Sequence, residues 1–304
     1  MTAPVTPPAS VPNDLVVDRR AEERTDAALL PTLRVDPSSR VLVVHGDAAP
    51  LTSDGRLDLV GVGVVPEDAE WAFLGRAADG SAVLLAAFDS ARDAPVAIPG
   101  TWGALRSVAG ALPAGEASIF VTAVALARWL VDAPFCPACG ARTIERDAGW
   151  SRRCPSCGRQ HFPRTDPAVI VAVTRSDDPD LLLLGSNALW DDNRYSCFAG
   201  FAEAGESLED AVTREVGEEA GVVVEDVVYR GSQGWPYPRS LMLGFRARAS
   251  VPADARADGE EILAVRWFTR AEIAAGLAGR SELRLPGPAS IAHRLISEWL
   301  AESA

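Results

Sequence analysis

Glu215, Glu218 and Glu219 carry the strongest chemical signal in this chain of 304 residues. They lie in the segment from Gly200 to Val222, GFAEAGESLEDAVTREVGEEAGV, where Ser207 and Asp210 resemble a capping box with Asp in place of the usual Glu or Gln. At 3.6 residues per turn the three glutamates fall at i, i+3 and i+4 on one helix face. Val212, Val216 and Ala220 form an adjacent apolar stripe suited to a core. Like charges at that spacing repel by a few tenths of a kcal/mol per pair, roughly. A hard divalent cation, Mg²⁺ or Mn²⁺, removes the repulsion by taking carboxylate oxygens as ligands. The alternative is an acidic, solvated helix face. The register of Gly200, Glu206, Arg214 and Gly221 around the glutamates favours the metal.

A second cluster has sulfur chemistry. Cys136 and Cys139 in CPACG and Cys154 and Cys157 in CPSCG are two Cys-x2-Cys knuckles, each followed by Gly. Their spacing is that of a zinc ribbon, and four thiolates leave no open position for water, so the Zn²⁺ is expected to be structural. Disulfides and a redox Cys-x2-Cys are the competing readings. His161 stands near enough to be weighed as a ligand, but four cysteines already complete a site. Cys197 reads as a small core residue.

The elements that must position these groups divide the chain. Residues 1–13, rich in Pro and small residues, read as a disordered tail without the pattern of a signal peptide, and the chain as cytoplasmic. Residues 14–130 read as a small α+β domain. VLVVHG, GRLDLVGVGVV, WAFLGRA and SAVLLAAFD are its expected strands, and GTWGALRSVAGALP and GEASIFVTAVALARWL its helices. The ribbon spans 131–163. Residues 164–304 read as an α/β domain with strands in PAVIVAVT, LLLLGS, VVYRGSQGWPYP, SLMLGFRARAS and ILAVRWFT. RAEIAAGLAG and ASIAHRLISEWLAE are its helices, giving a mixed sheet between helices. No internal repeat is evident, and no apolar run is long enough to span a membrane. All 29 basic residues are arginine. The net charge of −13 argues against broad nucleic-acid binding but leaves room for a local arginine-lined groove.

The segment Gly-x5-Glu-x7-Arg-Glu-U-x-Glu-Glu-x-Gly-U, with U bulky and apolar, resembles the signature of the Nudix hydrolases. Chance would fill its seven fixed positions on the order of once in 10⁸ placements, too rarely to be the explanation. Downstream, Ser232 to Ser240, SQGWPYPRS, is similar to the SQPWPFPxS motif of the NADH pyrophosphatase branch, whose bacterial members also remove NAD caps from RNA. An N-terminal domain, a four-cysteine ribbon, the box and this motif follow that branch's order. Gly234 stands where the branch has Pro, and Tyr237 where it has Phe.

The resemblance implies a Nudix fold and site roles. Glu215, Glu218, Glu219, Glu261 and the backbone of Ala199 would bind Mg²⁺ or Mn²⁺, with Glu260 the fallback for Glu261. Glu218 or Glu219 would be the general base, Arg214 would orient the glutamates, and Glu206 would anchor the loop. Phe162, Gln233, Gly234, Trp235, Pro236, Tyr237, Pro238, Arg239, Ser240 and Ala292 would contact substrate. Trp235 and Tyr237 offer flat faces for a base or nicotinamide. The implied substrates are NADH, NAD⁺ and NAD-capped RNA, without DNA or membrane, and the implied assembly is a homodimer. Hydrolysis of ADP-ribose or another nucleoside diphosphate is the alternative within the superfamily. A zinc-ribbon module that binds RNA or nucleotide is the alternative outside it.

Overall fold

The computed structural model describes residues 15–91, 101–250 and 254–302, so the tail expected over residues 1–13 lies outside the described residues. The chain forms two compact units, residues 1–164 and 165–304.

The first unit contains β1 (Val17–Asp18), α1 (Leu29–Leu33), β2 (Arg40–His45), β3 (Ala48–Leu51), β4 (Val60–Gly61), β5 (Glu70–Ala77), β6 (Ala82–Phe88), β7 (Thr101–Ala104), α2 (Leu105–Val108) and α3 (Ala114–Asp132). Its sheet runs β1-β5-β6-β2-β3-β7, with β4 beside β2. The β2–β6 pair is parallel and the others are antiparallel. Val41 to Val44 and Val83 to Leu85 are fully buried, on both faces of the sheet, which is why these strands read as continuous apolar runs.

Three expectations need correction here. GRLDLVGVGVV is a strand only at Val60–Gly61 and then turns through a short 3-10 helix, Val62–Val64. In GTWGALRSVAGALP, Thr101–Ala104 is a strand paired with β3, and only Leu105–Val108 is helical. Pairing with a waiting sheet edge overrides local helical preference there. Finally, α3 is 19 residues long and apolar enough to cross a membrane, contrary to expectation. It instead buries Ile119, Phe120, Ala123, Val124 and Leu130 and packs on β2, β5 and β6.

The ribbon follows α3 and folds onto the same unit. β8 (Ile144–Arg146), β9 (Ser151–Arg153) and β10 (Gln160–His161) form an antiparallel sheet ordered β10-β9-β8. Each knuckle closes identically: the amide of Gly140 donates to the carbonyl of Cys136 at 2.9 Å, and that of Gly158 to Cys154 at 3.0 Å. Gly140 and Gly158 have φ of 74° and 75°, a left-handed turn that explains Gly after each knuckle. The four sulfurs lie within 4.8 Å of one another. Cys136–Cys157 and Cys139–Cys154 are 3.6 and 3.4 Å apart, unbonded. Tetrahedral Zn–S bonds place sulfurs about 3.8 Å apart, so the thiols fit one Zn²⁺. His161 is not in the cluster. Trp150 Nε1 donates to the Phe73 carbonyl at 2.7 Å. Arg152, 2% exposed, donates to the Leu130 carbonyl at 2.7 Å and pairs with Glu70 and Glu145.

The second unit contains β11 (Asp166–Arg175), β12 (Leu181–Asn187), β13 (Phe198–Phe201), α4 (Leu208–Ala220), β14 (Val224–Trp235), β15 (Ser240–Ala249), β16 (Ile262–Thr269), α5 (Arg270–Leu277) and α6 (Ile291–Ala301). The expected Nudix architecture, a mixed sheet between helices, is what forms. The order is β14-β15-β11-β12-β16, with β13 also paired to β11 and only β11–β15 parallel. Val169, Val171 and Val173 of β11 pack toward α4, while Ile170 and Ala172 pack toward α5 and α6.

Set beside each other, the two sheets have one topology, so the expectation of no internal repeat is corrected. β5-β6-β2-β3-β7 with β4 beside β2 corresponds strand for strand to β14-β15-β11-β12-β16 with β13 beside β11. The parallel pair is the central one in both. α3 packs on its sheet as α6 does on the other. What the first unit lacks is the helix that follows β13, because Val62–Val64 and a loop stand in place of α4.

One Zn²⁺ per chain is expected by elemental analysis. Cys154→Ser should abolish it and lower the unfolding midpoint by on the order of 10 °C, because metal binding is part of folding at such sites. A metal-free, equally stable wild-type protein would contradict this.

Candidate active site

α4 is delimited by its own residues. The Ser207 hydroxyl accepts the Asp210 amide at 3.1 Å, and Gly221 ends the helix with φ of 66°. The box is incomplete, however. Asp210, one methylene shorter than Glu, takes the Ser207 hydroxyl proton at 2.6 Å and does not reach back to the backbone. The full box stands instead at the start of α5, between Thr269 and Glu272. Val212, Val216 and Ala220 are fully buried, so the opposite rim of the helix carries its glutamates at the edge of the core.

The glutamates do not share one environment. Glu219 is 6% exposed, Glu215 is well buried, and Glu218 has its side chain 62% exposed. Arg214 ties two of them, Glu215 and Glu218, to Glu206. It grips Glu206 with Nε and Nη2 at 2.9 and 3.0 Å, while Nη1 reaches Glu215 at 2.8 Å and Glu218 at 3.1 Å. Nη2 also reaches the Phe201 carbonyl at 2.9 Å. Glu206 in turn accepts the Glu203 amide at 2.9 Å. Gly200 is required by contact: a Cβ there would fall 2.0 Å from the Glu215 carboxylate.

Negative charge accumulates around Glu219, which Arg214 does not reach. Burial, then the nearby carboxylates of Glu215, Glu261 and Asp258, push Glu219 up to about 8, against a small lowering by the Ala199 amide. Burial likewise raises Glu215, opposed by Arg214. Glu261 is presented by Asp258, whose Oδ1 accepts the amides of Glu260, Glu261 and Ile262 at 2.6, 2.9 and 3.1 Å. Glu261, rather than Glu260, bears electrostatically on both Glu215 and Glu219. Glu219 Oε2 is buried with no hydrogen-bond partner among the described residues. An orphaned carboxylate oxygen among oxygen-only donors fits a hard divalent cation.

Beside Ala199 a cavity of about 250 Å³ is framed by β11, β13, β14, β15 and the start of α6, and it includes Trp235, Gln233 and Ala292. Of the expected contacts, Ala199, Gln233, Trp235 and Ala292 meet there. Tyr237 lies against Trp235, with ring centroids 5.0 Å apart. The Gln233 amide is already committed: it donates to the Ala289 carbonyl and accepts the Ile291 amide, each at 2.7 Å, tethering α6. Arg239 pairs with Asp166 at 2.8 Å, and Ser240 is buried. Gly234 stays in strand register opposite Leu241, and Pro236 and Pro238 form the hairpin turn. Phe162 is exposed and belongs to the first unit. Sequence reasoning missed Trp190, Arg194, Ser196 and Met242 in the cavity. A tryptophan followed by Asp-Asp-Asn in a loop, with Arg194 stacked over it at 5.0 Å, was the available signal. Cys197 is buried and its thiol is pushed up to about 12, so it is no nucleophile.

Two outcomes follow from this geometry. Gly200→Ala should displace Glu215 and cost about 10²-fold in kcat/KM with the circular dichroism unchanged. Full activity would contradict the contact. Because Glu219 has a folded-state value of about 8, above 4.5, its stabilising contribution is present below pH 4.5 and is lost as pH rises through 8. Metal-free protein should therefore lose thermal stability between about pH 5 and 8, Glu219→Gln should lose less, and Mg²⁺ should restore the wild type. A pH-independent wild type in differential scanning calorimetry would refute this.

Comparison with known proteins supplies the lineage. The NUDIX domain family matches residues 164–286, the NADH pyrophosphatase zinc ribbon domain 132–162, and the NADH pyrophosphatase-like rudimentary NUDIX domain 15–129. The NAD-capped RNA hydrolase NudC of Mycobacterium tuberculosis is 39% identical over 281 residues, covering 88% of this chain and 85% of that protein. The protein of that name in Stutzerimonas stutzeri is 38% identical, covering 69% and 71%. The human NAD-capped RNA hydrolase NUDT12 is 39% identical, covering 61% and 42%. With all three domain families in order and these relatives along most of its length, the chain belongs to the zinc-ribbon NADH pyrophosphatase and NAD-capped RNA hydrolase family of Nudix hydrolases.

Proposed function

We propose that this chain hydrolyses the diphosphate of NADH and NAD⁺ to NMN(H) and AMP, and removes NAD from the 5′ end of capped RNA, leaving NMN and a 5′-monophosphate RNA. The observation that carries the reading is the orphaned, buried Oε2 of Glu219 between Glu215 and Glu261, next to a cavity with an aromatic wall. The relatives named NAD-capped RNA hydrolases support the substrate class.

Glu215, Glu219 and Glu261, with the Ala199 backbone, would hold Mg²⁺ or Mn²⁺. Bound there, such a cation neutralises diphosphate charge and acidifies a water. Arg214 fixes Glu215 and Glu218 in place and, being also held by Glu206, does not swing into the site. Glu219 is the better placed general base, since one of its oxygens is free of protein donors. Glu218 is mostly exposed and paired with Arg214. Water attacks one phosphorus, its proton passing to the carboxylate, as the bridging P–O bond breaks and the bridging oxygen leaves with the other phosphate. Trp235 and Tyr237 supply faces on which a base or nicotinamide stacks, worth about 1–3 kcal/mol per base without choosing among bases. Gln233 lines the cavity and also holds the N-terminus of α6 at its wall, a positioning role beside the substrate contact expected. A cytoplasmic homodimer acting on RNA rather than DNA completes the reading, and sedimentation of the purified chain tests the dimer.

Side-by-side turnover of NADH, NAD-capped RNA and ADP-ribose tests the substrate class, with NADH and capped RNA expected to be favoured. Much faster cleavage of ADP-ribose would overturn it. Glu219→Gln should reduce kcat on NADH by about 10³-fold while the protein stays folded. Retained turnover would remove Glu219 from the chemistry.

A further inference from the structure

α6 crosses the sheet of the second unit from the cavity to a second opening. At its start, Ile291 and Ala292 line the cavity. Eight residues after Ile291, Trp299 lines a groove of about 720 Å³, together with Glu302 and four arginines, Arg230, Arg246, Arg248 and Arg270. At 1.5 Å per residue the two ends of this helix are about 16 Å apart, a distance that a few nucleotides span. Arg294 lies on the way, its Nη2 donating to the Arg230 carbonyl at 3.3 Å.

Four arginines lining one groove stand out in a chain with net charge −13, with Arg230 and Arg246 sharing Glu302 and Arg248 paired with Asp226 of the same wall. Carboxylates already stand where phosphates would sit: Asp226 pairs with Arg248, Glu298 lies 3.5 Å from Arg230, and Glu302 bridges two arginines. Glu302 binds Arg230 at 3.2 Å and also Arg246, and its own side chain is half exposed. Glu302 is the residue at which the backbone leaves the helix, with ψ of 114°. Arg246 has Nε and Nη2 buried without an acceptor among the described residues, so Glu302 satisfies it only in part. Glu302 meets the two guanidinium groups with one carboxylate oxygen each, the arrangement in which the two unbridged oxygens of a phosphodiester would bind. Arg270 is held elsewhere, on Asp180 and on the Trp299 and Leu300 carbonyls, and shapes the floor.

We propose that this groove binds the phosphodiester backbone of the RNA that follows an NAD cap, and that Glu302 is an internal stand-in which the RNA displaces. The proposal rests on capped RNA being a substrate of the neighbouring site. It assigns Arg230, Arg246 and Arg248 to the body of the RNA, away from the reacting diphosphate.

Two variants at exposed side chains test it: Arg230→Gln/Arg248→Gln, and Glu302→Gln. Three quantities are measured: kcat/KM for NADH, kcat/KM for a short NAD-capped RNA, and binding of a single-stranded 5′-monophosphate RNA by fluorescence anisotropy across a salt series. The double variant should lose about 10-fold on capped RNA and in RNA binding, with NADH turnover within about 2-fold. Its log–log salt slope should fall by about 1.4, the loss of two phosphate contacts. Glu302→Gln should move the other way and tighten RNA binding about 3-fold, a gain that misfolding does not produce. Equal losses on NADH and capped RNA, or unchanged RNA binding in both variants, would overturn the proposal. So would displacement of the RNA by inorganic phosphate or AMP at equal concentration, which would mark a small-anion site. Wild-type protein that cleaves NADH but not capped RNA would sink the substrate reading alone, and the anisotropy arm would still decide whether the groove takes RNA.

Discussion

Burying Glu219 beside Glu215 and Glu261, with one oxygen meeting no donor, sets conditions that much of the second unit meets. An unpaired ionised carboxylate in an apolar interior is too costly to keep, so such a group takes a proton or a cation. The carboxyl of Glu219 is pushed up to about 8, which places the choice between proton and metal near neutrality. Around that choice the rest is rigid. The Val212, Val216 and Ala220 stripe fixes the helix azimuth, Gly200 lets β13 approach until only a hydrogen fits against Glu215, and Arg214 clamps the exposed side. Arg214 meets Glu206, Glu215 and Glu218 but not Glu219, so the chain's own cation leaves the deepest carboxylate open.

The first unit shows what the sheet does without that helix. It repeats the strand order and the central parallel pair, yet between β4 and β5 it has only the Val62–Val64 turn and a loop where the other unit has α4. The shared frame is a solution to packing, with both central strands buried on two faces and one long helix lying across the sheet. Chemistry is carried by an insertion into that frame, as expected when function resides in a site and not in the fold. Relieved of holding a charge cluster, the first unit instead receives the ribbon through Trp150 and the buried Arg152.

Legibility in the sequence followed the range of the interactions. The α4 segment and the cysteine knuckles were readable because their determinants lie within a few residues: a cap, a 3.6-residue period, a Gly with positive φ after each Cys-x2-Cys. Most strands of the second unit were readable from buried runs. Thr101–Ala104 was not, because its strand state comes from pairing with Ala48–Leu51, some fifty residues earlier. Gln233 was expected at the substrate, but its amide is consumed by backbone groups of Ala289 and Ile291, which no local pattern reveals. Trp190 and Arg194 entered the cavity by the same kind of long-range folding. The repeat escaped notice because it resides in strand order and not in residue identity.

Charge sign around the cavity gives the site a direction. Trp190 is shared by the cavity and by an open groove of about 930 Å³ lined by Asp191, Asp192 and Glu282, with Arg284 the one cation among its walls. A phosphate chain leaving the cavity past Trp190 would meet carboxylates on that side. Across α6, the walls carry Arg230, Arg246, Arg248 and Arg270 against Asp226 and Glu302. The two grooves thus present opposite net sign to a polyanion held at one end. A free dinucleotide carries a single diphosphate and has no further phosphates to offer either groove. A capped RNA has such phosphates, and on the proposed path the asymmetry would repel it from one side and favour the groove across α6. Discrimination between small and polymeric substrates then requires no change in the catalytic residues, only the placement of arginine in a chain that is otherwise strongly acidic.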